Sequence, residues 1–234
     1  MRRVLISGGT SGIGAGIAAA FAAEGASVVA TGATPAEVES AAAARPAIEH
    51  RVLDVRDGDA VLALVQSLGE LDVVVNCAGI IRRGQEHEPE AFAQTVDINL
   101  NGTMRVCAAA RPGLKARHGC IVNTASMLSF FGGGLVPGYS ASKGGVAQLT
   151  KSLAIAYAAD GIRVNAVAPG WIATPLTQAL QDDPARSGPI LARTPMGRWG
   201  TPADVAGPVL FLASPAAAFV TGVVLPVDGG YLIS

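Results

Sequence analysis

Short runs of valine, leucine and isoleucine alternate along this chain with longer alanine-rich segments, and this alternation strongly limits the possible folds. Short apolar runs bounded by turn residues are typical of buried strands, and longer segments with helical periodicity are typical of crossover helices. The alternation therefore predicts an α/β fold, a doubly wound (Rossmann) domain with a seven-stranded parallel sheet and helices on both faces. The predicted strands are Arg3–Ser7, Ser27–Thr31, Ile48–Leu53, Asp72–Val75, Cys120–Asn123, Arg163–Ala168 and Val223–Val227. The predicted helices are Ile13–Glu24, Pro35–Ala44, Asp59–Leu68, Pro89–Ala110, Tyr139–Ala159 and Pro202–Ala213.

The length of 234 residues favours one domain, because no linker or internal repeat interrupts residues 1–234. One segment, residues 174–200, breaks the alternation. It contains four prolines in a polar stretch that is too long for an ordinary connection. We expect this segment to be a substrate loop.

The composition excludes several classes of protein. Half of the residues are hydrophobic and only 15% are charged, so the chain is not disordered. A net charge of −1 gives no electrostatic reason to expect nucleic acid or an anionic membrane as a partner. No apolar stretch reaches the ~18 residues of a spanning helix. The cysteines Cys77, Cys107 and Cys120 are too widely spaced for a metal cluster or a disulfide framework, so we expect no metal and a cytoplasmic location.

A glycine-rich segment joins the first predicted strand to the first helix. Gly8, Gly12 and Gly14 allow the main chain to turn tightly and to approach a pyrophosphate, and Ser11 and Ile13 lie between them. The amide groups at the start of a helix stabilise such a negative charge. This position in the chain predicts a dinucleotide site.

The sequence leaves the choice between NAD and NADP open. NAD sites often have an acidic residue at the end of the second strand, and Gly32 stands there in this chain. No arginine that would favour NADP is adjacent either. Asp54 and Val55 follow the third strand, where the Asp54 carboxylate would accept a hydrogen bond from the adenine or would cap a helix.

Tyr139 and Lys143 are four residues apart on a predicted helix and therefore share one face. A free tyrosine titrates near ~10, and a nearby ammonium lowers this pKa toward the range of a useful base. The pair alone is common in proteins. Its significance depends on the other motifs of the chain.

These motifs, in their order, resemble the short-chain dehydrogenase/reductase family over nearly the whole chain. The glycine segment is followed by Asn76-Cys77-Ala78-Gly79 after the fourth strand, by Asn99, by Ser126, by Tyr139 and Lys143, and by Pro169-Gly170-Trp171-Ile172-Ala173-Thr174. Cys77 departs from the family pattern, which has asparagine there. The resemblance implies a nicotinamide-dependent oxidoreductase that acts on CH–OH groups.

The resemblance also implies a role for each motif residue. Tyr139 would exchange a proton with the substrate oxygen while Lys143 lowers the tyrosine pKa and holds the nicotinamide ribose. Ser126 would stabilise charge on that oxygen, and Asn99 would position Lys143 through a water. The main chain of Ile172 and the Thr174 side chain would hold the carboxamide. The remaining cofactor contacts would come from Asn76, Ala78, Gly79, Pro169 and Gly170.

The substrate-facing segments resemble, more narrowly, those of sugar-acid dehydrogenases that act on gluconate or a deoxygluconate. Arg82 and Arg83 would bind a carboxylate there, or would form a solvated basic turn. Met127 would form a pocket wall or core, and Trp199 would close the pocket or anchor its loop. The expected substrate is a small keto or hydroxy sugar acid. The alternatives are a 3-oxoacyl-thioester reductase and a nucleotide-sensing protein without catalysis.

The resemblance extends to cofactor preference and assembly. Sugar-acid relatives favour NAD, so the sequence predicts NAD without excluding NADP. Members of the family commonly form homotetramers, and the apolar C-terminal residues 219–233 agree with a buried C-terminus. The sequence does not distinguish a dimer from a tetramer.

Overall fold

Seven parallel strands form a single sheet in the computed structural model, which describes all residues 1–234. The order across the sheet is β3-β2-β1-β4-β5-β6-β7. The strands are β1 (Arg3–Ser7), β2 (Ser27–Gly32), β3 (Glu49–Val52), β4 (Val73–Asn76), β5 (Cys120–Thr124), β6 (Arg163–Pro169) and β7 (Val224–Val227). The predicted fold class is confirmed, and each predicted strand is present to within one or two residues.

Helices cover both faces of the sheet. The longer helices are α1 (Gly12–Ala23), α2 (Pro35–Ala44), α3 (Gly58–Leu68), α4 (Pro89–Val96), α5 (Gly102–Arg117), α6 (Pro137–Tyr157) and α9 (Pro202–Leu212). Apolar residues of α1 and α9 pack on one face, and apolar residues of α3, α5 and α6 pack on the other. Two separate cores therefore lie on either side of the same strands.

Successive side chains of a strand point alternately into the two cores. In β1, Val4 and Ile6 point to the α1 side, while Leu5 points to the α3 side. In β4, Val74 likewise faces the opposite core from its two valine neighbours. Side chains alternate along a strand, so a strand covered on both faces is apolar at every position. This explains the continuous Val/Ile/Leu runs of the sequence.

The strand order reverses between β1 and β4. From β1 the chain proceeds through β2 and β3 to one edge, and then returns to place β4 on the other side of β1. Such a reversal leaves a crevice at the carboxyl ends of the two strands, where ligands bind in open α/β sheets. The segments after β1 and β4 carry the glycine motif and the Asn76–Gly79 motif.

A row of buried polar side chains crosses the sheet just below this edge. Ser7, Asn76 and Asn123 occupy the same level of β1, β4 and β5. Ser7 donates to Asn76 at 3.2 Å, and the Asn76 amide donates to Asn123 at 2.9 Å. Asn123 in turn donates to Thr150 of α6 at 3.0 Å. The row therefore ties three central strands to the helix that carries Tyr139 and Lys143.

The predicted helix Pro89–Ala110 differs most from the structure. Residues Asp97–Asn101 form a turn of π-helix between α4 and α5, and α5 continues through Pro112 to Arg117. A π-turn leaves no periodicity signal in the sequence, and such turns are frequent at functional sites. Asn99 lies inside this turn.

The predicted substrate loop, residues 174–200, has secondary structure of its own. It contains two short helices, α7 (Gln178–Gln181) and α8 (Pro184–Arg193). Pro184 is the first residue of α8, where its missing amide proton is not needed. No helix of the protein combines the length and the apolar character needed to cross a bilayer.

Candidate active site

A cleft of about 420 Å³ lies at the carboxyl edge of the sheet, above β1 and β4. Its walls come from the segment after β1, the ends of β2 and β3, the segment after β4, helix α6 and the start of the substrate loop. Thirteen of the residues predicted to bind a cofactor line this cleft: Gly8, Ser11, Gly12, Ile13, Gly14, Gly32, Asp54, Val55, Ala78, Gly79, Tyr139, Lys143 and Thr174.

The glycine segment forms a cradle that side chains would fill. Gly8 has a φ of +68°, and a Cβ atom there would lie 2.5 Å from the main-chain nitrogen of Ala78. A Cβ atom on Gly14 would lie 2.2 Å from the carbonyl oxygen of Gly8. Both glycines therefore allow main-chain segments to touch. Ser11 is the N-cap of α1, and its hydroxyl makes no capping bond, which leaves it free toward the cleft.

The far end of the cleft, beyond Gly32, has two acidic residues and one basic residue. Glu37, from the first turn of α2, accepts a hydrogen bond from the Ala33 amide at 2.8 Å and lies beside Gly32. Arg56, after β3, forms an ion pair with Asp54 at 2.5 Å. The Arg56 guanidinium lowers the pKa of the Asp54 carboxyl by hydrogen bonding. Asp54 is thus not a helix cap; Asp57 caps α3 instead.

Tyr139 lies on the first turn of α6, beside Ser126. Ser126 is buried at the end of β5 and caps a short 3₁₀ turn, Met127–Ser129, by accepting from the Leu128 amide at 3.2 Å. Burial raises the pKa of the Tyr139 phenol, and hydrogen bonding by Ser126 opposes this shift. The predicted pair of proton donor and oxygen ligand is therefore present in one place.

Lys143 is buried one turn further along α6, with its Nζ atom 5.6 Å from the centre of the Tyr139 ring. Nζ donates to the main-chain oxygen of Thr124 at 2.6 Å. Burial lowers the pKa of Lys143 to about 8. The effect of Lys143 on the pKa of Tyr139 stays a prediction, since the pKa shift of Tyr139 in this structure comes from burial, Ser126 and Glu86. The ammonium is held toward β5, so burial of the phenol dominates.

Asn99 fixes the segment after β4. Its side chain accepts from the Ile80 amide at 2.8 Å and donates to the Ile80 carbonyl at 2.9 Å. It also donates to the Ser142 hydroxyl at 3.1 Å, next to Lys143 in the chain. Asn99 therefore reaches the lysine helix without contacting the lysine itself.

The cleft and these side chains suit one kind of chemistry. The glycine cradle matches a pyrophosphate, and Tyr139 and Lys143 line another part of the same cleft, with Ser126 beside Tyr139. A phenol, a hydroxyl and an ammonium side by side move a proton to or from an oxygen atom. A nicotinamide dinucleotide, when bound, supplies the hydride that such a site needs.

Comparison with known proteins agrees with this geometry. Residues 8–232 match a family model described as enoyl-(acyl carrier protein) reductase. The chain is 42% identical to the 2-dehydro-3-deoxy-D-gluconate 5-dehydrogenase of Bacillus subtilis, over 99% of this chain and 94% of the relative. It superposes on a short-chain type dehydrogenase/reductase from Mycobacterium ulcerans with a TM-score of 0.95 at 34% identity, covering 99% and 90% of the two chains.

The chain belongs to the short-chain dehydrogenase/reductase family. It is an oxidoreductase that uses a nicotinamide cofactor and acts on CH–OH groups. Another structural relative is a gluconate 5-dehydrogenase from Burkholderia cenocepacia in complex with NADP and tartrate. The TM-score is 0.93 and the identity 36%, over 100% of this chain and 96% of the relative.

Four residues predicted to bind the cofactor do not line the cleft of this short-chain dehydrogenase: Asn76, Pro169, Gly170 and Ile172. Asn76 belongs to the polar row under the edge of the sheet. Ile172 packs into the core, and its carbonyl accepts from Thr177 at 2.7 Å. A Cβ atom on Gly170 would lie 2.6 Å from that of Asp228, so this glycine serves close packing. These residues support the walls of the cleft from behind.

Of the residues predicted to contact substrate, only Tyr139 lines the cleft, and Ser126 and Met127 lie next to it in the structure without lining it. Met127 is buried beside Ser126, as a wall residue would be. Trp199 donates through Nε1 to Ser187 at 2.9 Å and meets Trp171 edge-on at 5.8 Å, so it anchors the substrate loop. Arg198 is an anchor too, since it holds Asp204 with two bonds of 2.8 Å. Neither Arg82 nor Arg83 lines the cleft.

Several cleft residues of this dehydrogenase are not predicted from the sequence. Glu37 lies in the first turn of α2 and belongs to no cofactor motif, so its place in the cleft is not predicted. The Thr34-x-x-Glu37 spacing, that of a capping box, does predict its position at the start of the helix. Arg56 and Thr124 carry no motif at all. The remaining unpredicted cleft residues are Thr10, Ala33, Leu53, Cys77, Ile80, Ile98, Pro175 and Leu176.

Proposed function

We propose that this enzyme interconverts a hydroxyl and a keto group on a small sugar acid such as a gluconate or a deoxygluconate. The observation that carries the proposal concerns Arg82 and Arg83, on the turn that follows the Asn76–Gly79 motif. Neither guanidinium has a hydrogen bond or an ion pair within the chain, whereas Arg56, Arg105 and Arg198 are all paired with carboxylates. Two unpaired guanidinium groups suit a carboxylate ligand.

The relatives support the same substrate class. The Bacillus subtilis protein at 42% identity is a dehydrogenase of a deoxygluconate, and the Burkholderia cenocepacia protein is a gluconate 5-dehydrogenase. The tartrate in the latter structure is a hydroxy acid with two carboxylates. A 3-oxoacyl-thioester reductase remains the alternative within the family, but the balanced charge of the chain, −1 in total, does not favour an acidic carrier as partner.

The proposed chemistry follows from the positions of Tyr139, Ser126 and Lys143. In reduction, the Tyr139 phenol gives its proton to the substrate oxygen as hydride reaches the carbon. The Ser126 hydroxyl donates to the same oxygen and stabilises the developing charge. Lys143 then stabilises the phenolate, and Asn99 holds the surrounding main chain. In oxidation the same groups act in reverse.

The dinucleotide would lie along the cleft from the far end to Tyr139. Gly8, Gly12, Gly14 and the amides at the start of α1 would hold the pyrophosphate. Asp54 and Val55 would flank the adenine, and Thr174 would hold the carboxamide, as the sequence predicts.

We propose NADP as the preferred cofactor, in place of the NAD favoured by the sequence. The NADP in the gluconate 5-dehydrogenase structure supports this choice. The exposed guanidinium of Arg56 lies at the end of the cleft where a 2′-phosphate would be bound, and Glu37 opposes it. Paired kinetics with NADPH and NADH test the proposal. We expect Arg56→Gln to reduce kcat/KM for NADPH about tenfold and to leave NADH unchanged.

Arg51→Gln is the matched control, because Arg51 is an exposed arginine of β3 that pairs with Glu49 outside the cleft. Glu37→Gln should raise the NADPH to NADH ratio, since it removes a negative charge from the same end. A wild-type enzyme with a higher kcat/KM for NADH than for NADPH would contradict the NADP proposal.

A substrate panel tests the main proposal. It contains gluconate, a deoxygluconate and its keto form, a 3-oxoacyl thioester and hydrophobic ketones. We expect turnover of the sugar acids. Turnover confined to the thioester would establish the alternative reductase, and turnover confined to hydrophobic ketones would exclude both. Cofactor binding without turnover of any compound would support a nucleotide-sensing protein.

We also propose a homotetramer. Large apolar side chains are exposed on the single chain: Ile155 of α6 is 81% exposed, Phe211 of α9 is 45% exposed and Phe219 is fully exposed. Burial of such residues between subunits is favourable. Light scattering gives the mass of the assembly directly.

The three free thiols support a reducing, cytoplasmic location.

A further inference from the structure

Glu86 is the one buried acidic residue of the protein. It is 1% exposed, and apart from Lys143 no other Asp, Glu, Lys or Arg is buried. No lysine, arginine or histidine lies within ion-pair distance of its carboxylate. A buried charge without such a partner is costly unless hydrogen bonds compensate it. The proposed reaction does not use this residue.

The Glu86 carboxylate binds two main-chain amides that are far apart in the sequence. One oxygen accepts from the Arg82 amide at 2.7 Å, and the other accepts from the Tyr139 amide at 2.6 Å. The first bond closes the turn Arg82-Arg83-Gly84-Gln85-Glu86, which we call the arginine turn. The second bond attaches this turn to the residue proposed to transfer the proton.

The start of α6 is built to receive this carboxylate. The N-cap residue, Val136, has no side-chain oxygen, so an amide of the first turn needs a partner from elsewhere. Tyr139 is the third residue of the helix, and its amide is the one that a capping side chain usually binds. The helix dipole also favours a negative charge here. A Cβ atom on Gly138 would lie 3.2 Å from the Cα atom of Phe92 and 3.3 Å from the Glu86 carboxylate, so glycine allows both to approach.

Further contacts join the arginine turn to the segment before α6. The Gly84 amide donates to the Leu135 carbonyl at 2.8 Å. The His87 ring lies 2.9 Å from the Gly134 carbonyl oxygen. The residues of these two contacts are mostly exposed, whereas Glu86 is buried and both of its hydrogen bonds are part-buried. Glu86 is therefore the internal link between the arginine turn and the Tyr139 helix.

We propose that Glu86 is a positioning residue that fixes the arginine turn relative to Tyr139, so that a substrate held by its carboxylate presents its reacting carbon to the phenol. This inference rests on the proposed sugar-acid function. Rigid spacing matters because small displacements of reacting groups reduce rates strongly. The Glu86 charge also contributes to the raised pKa of Tyr139, after burial of the phenol. Other ionisable groups near this helix turn are Lys143 and Cys77 on the cleft side, and His87, Arg82 and Arg83 on the side of the arginine turn.

The test compares Glu86→Gln with Glu88→Gln. Glu88 is an exposed glutamate of the same segment whose side chain makes no hydrogen bond or ion pair, so it is a matched control. Gluconate and sorbitol are the paired substrates, because they differ only in a carboxylate against a hydroxymethyl group. We expect Glu86→Gln to raise KM for gluconate about tenfold or more, and to change KM for sorbitol less than twofold.

The second readout is the pH profile of oxidation. Loss of the negative charge lowers the pKa of Tyr139, so the rise of kcat with pH should move to lower pH in Glu86→Gln and stay in place in Glu88→Gln. Gly138→Ala should raise KM for gluconate and move the profile less than Glu86→Gln does, because it displaces the carboxylate but keeps the charge. If Glu86→Gln fails to fold, Gly138→Ala tests the same inference through the KM for gluconate.

The inference is overturned if Glu86→Gln keeps the wild-type KM and pH profile, or if KM for both substrates rises equally with no change of profile. Failure of the sugar-acid proposal looks different, because the wild-type enzyme itself would not turn over gluconate or a deoxygluconate. The pH profile of oxidation would then be measured with the alcohol that corresponds to the ketone that is turned over.

Discussion

The two halves of the cleft are built differently. The cofactor half consists of the glycine cradle and the ends of β2 and β3, where main-chain segments touch at distances that exclude even a methyl group. The substrate half consists of the arginine turn, Ser126 with its neighbours and the substrate loop. There, side chains such as Glu86, Trp199 and Arg198 hold separate segments together.

This difference shows what each half can tolerate. Close main-chain contact requires glycine at fixed positions, so the cofactor half allows few changes of sequence. Side-chain contacts between loops can be replaced by other pairs, so the substrate half can change its specificity while the fold persists. The proposed proton donor, Tyr139, lies where the halves meet.

Tyr139→Phe should have the largest effect. The ring remains but the transferable proton is lost, so we expect kcat to fall about 1,000-fold while cofactor binding stays within about twofold. Tyr157→Phe is the control, since Tyr157 is a buried tyrosine of the same helix that faces Arg111 instead of the cleft. Stopped-flow turnover and cofactor fluorescence measure both quantities. Wild-type turnover in Tyr139→Phe would remove the phenol from the proposed chemistry.

Gly8→Ala tests whether main-chain contact defines the cofactor half. Its Cβ atom would collide with the segment after β4, so we expect cofactor affinity to fall about 100-fold. Gly25→Ala is matched in conformation, with a φ of +76°, but nothing lies within 4 Å of the new atom. That variant should lose only about 1 kcal/mol of stability. Equal affinities in both variants would mean that conformation, not contact, matters at Gly8.

Arg83→Gln tests the substrate half alone. Loss of one guanidinium should raise KM for a sugar acid about tenfold and leave the affinity for the cofactor unchanged. Arg186→Gln on the substrate loop is the control, because that side chain is exposed and also has no partner. If cofactor affinity and KM changed together in Arg83→Gln, the two halves would not be separable.

The smallest effect concerns Lys143 and pH. Its pKa is about 8 in the folded protein and about 10 in the unfolded chain, so above pH 8 the unfolded chain binds more protons. This residue therefore makes the protein more stable as pH rises from about 8 toward 10. The buried thiols act in the opposite direction, since burial raises their pKa values.

The difference between wild type and Lys143→Met isolates the lysine. From pH 7 to pH 9, the free energy of unfolding of wild type should gain about 1 kcal/mol relative to the variant in urea titrations. A constant difference over this range would show that Lys143 is not desolvated as the structure indicates.

The sequence predicted the cofactor half better than the substrate half, for the same physical reason. Strand runs, the glycine spacing and the pair Tyr139 and Lys143 are local patterns, and the structure contains them with small shifts of boundary. The π-turn at Asn99 and the position of Glu37 depend on contacts across the fold, which leave no periodic signal. Asn76 belongs to the Asn76–Gly79 motif, which predicts a cofactor contact, whereas its side chain in the structure belongs to the polar row.

The polar row across β1, β4 and β5 has a consequence for folding. Parallel valine-rich strands resemble one another, so hydrophobic packing alone distinguishes poorly between correct pairing and a pairing shifted by two residues. A shift between β4 and β5 would separate Asn76 from Asn123 and break the buried hydrogen bond between their side chains. The row thus favours the native register of these strands, because a sheet with shifted pairing would lose buried hydrogen bonds.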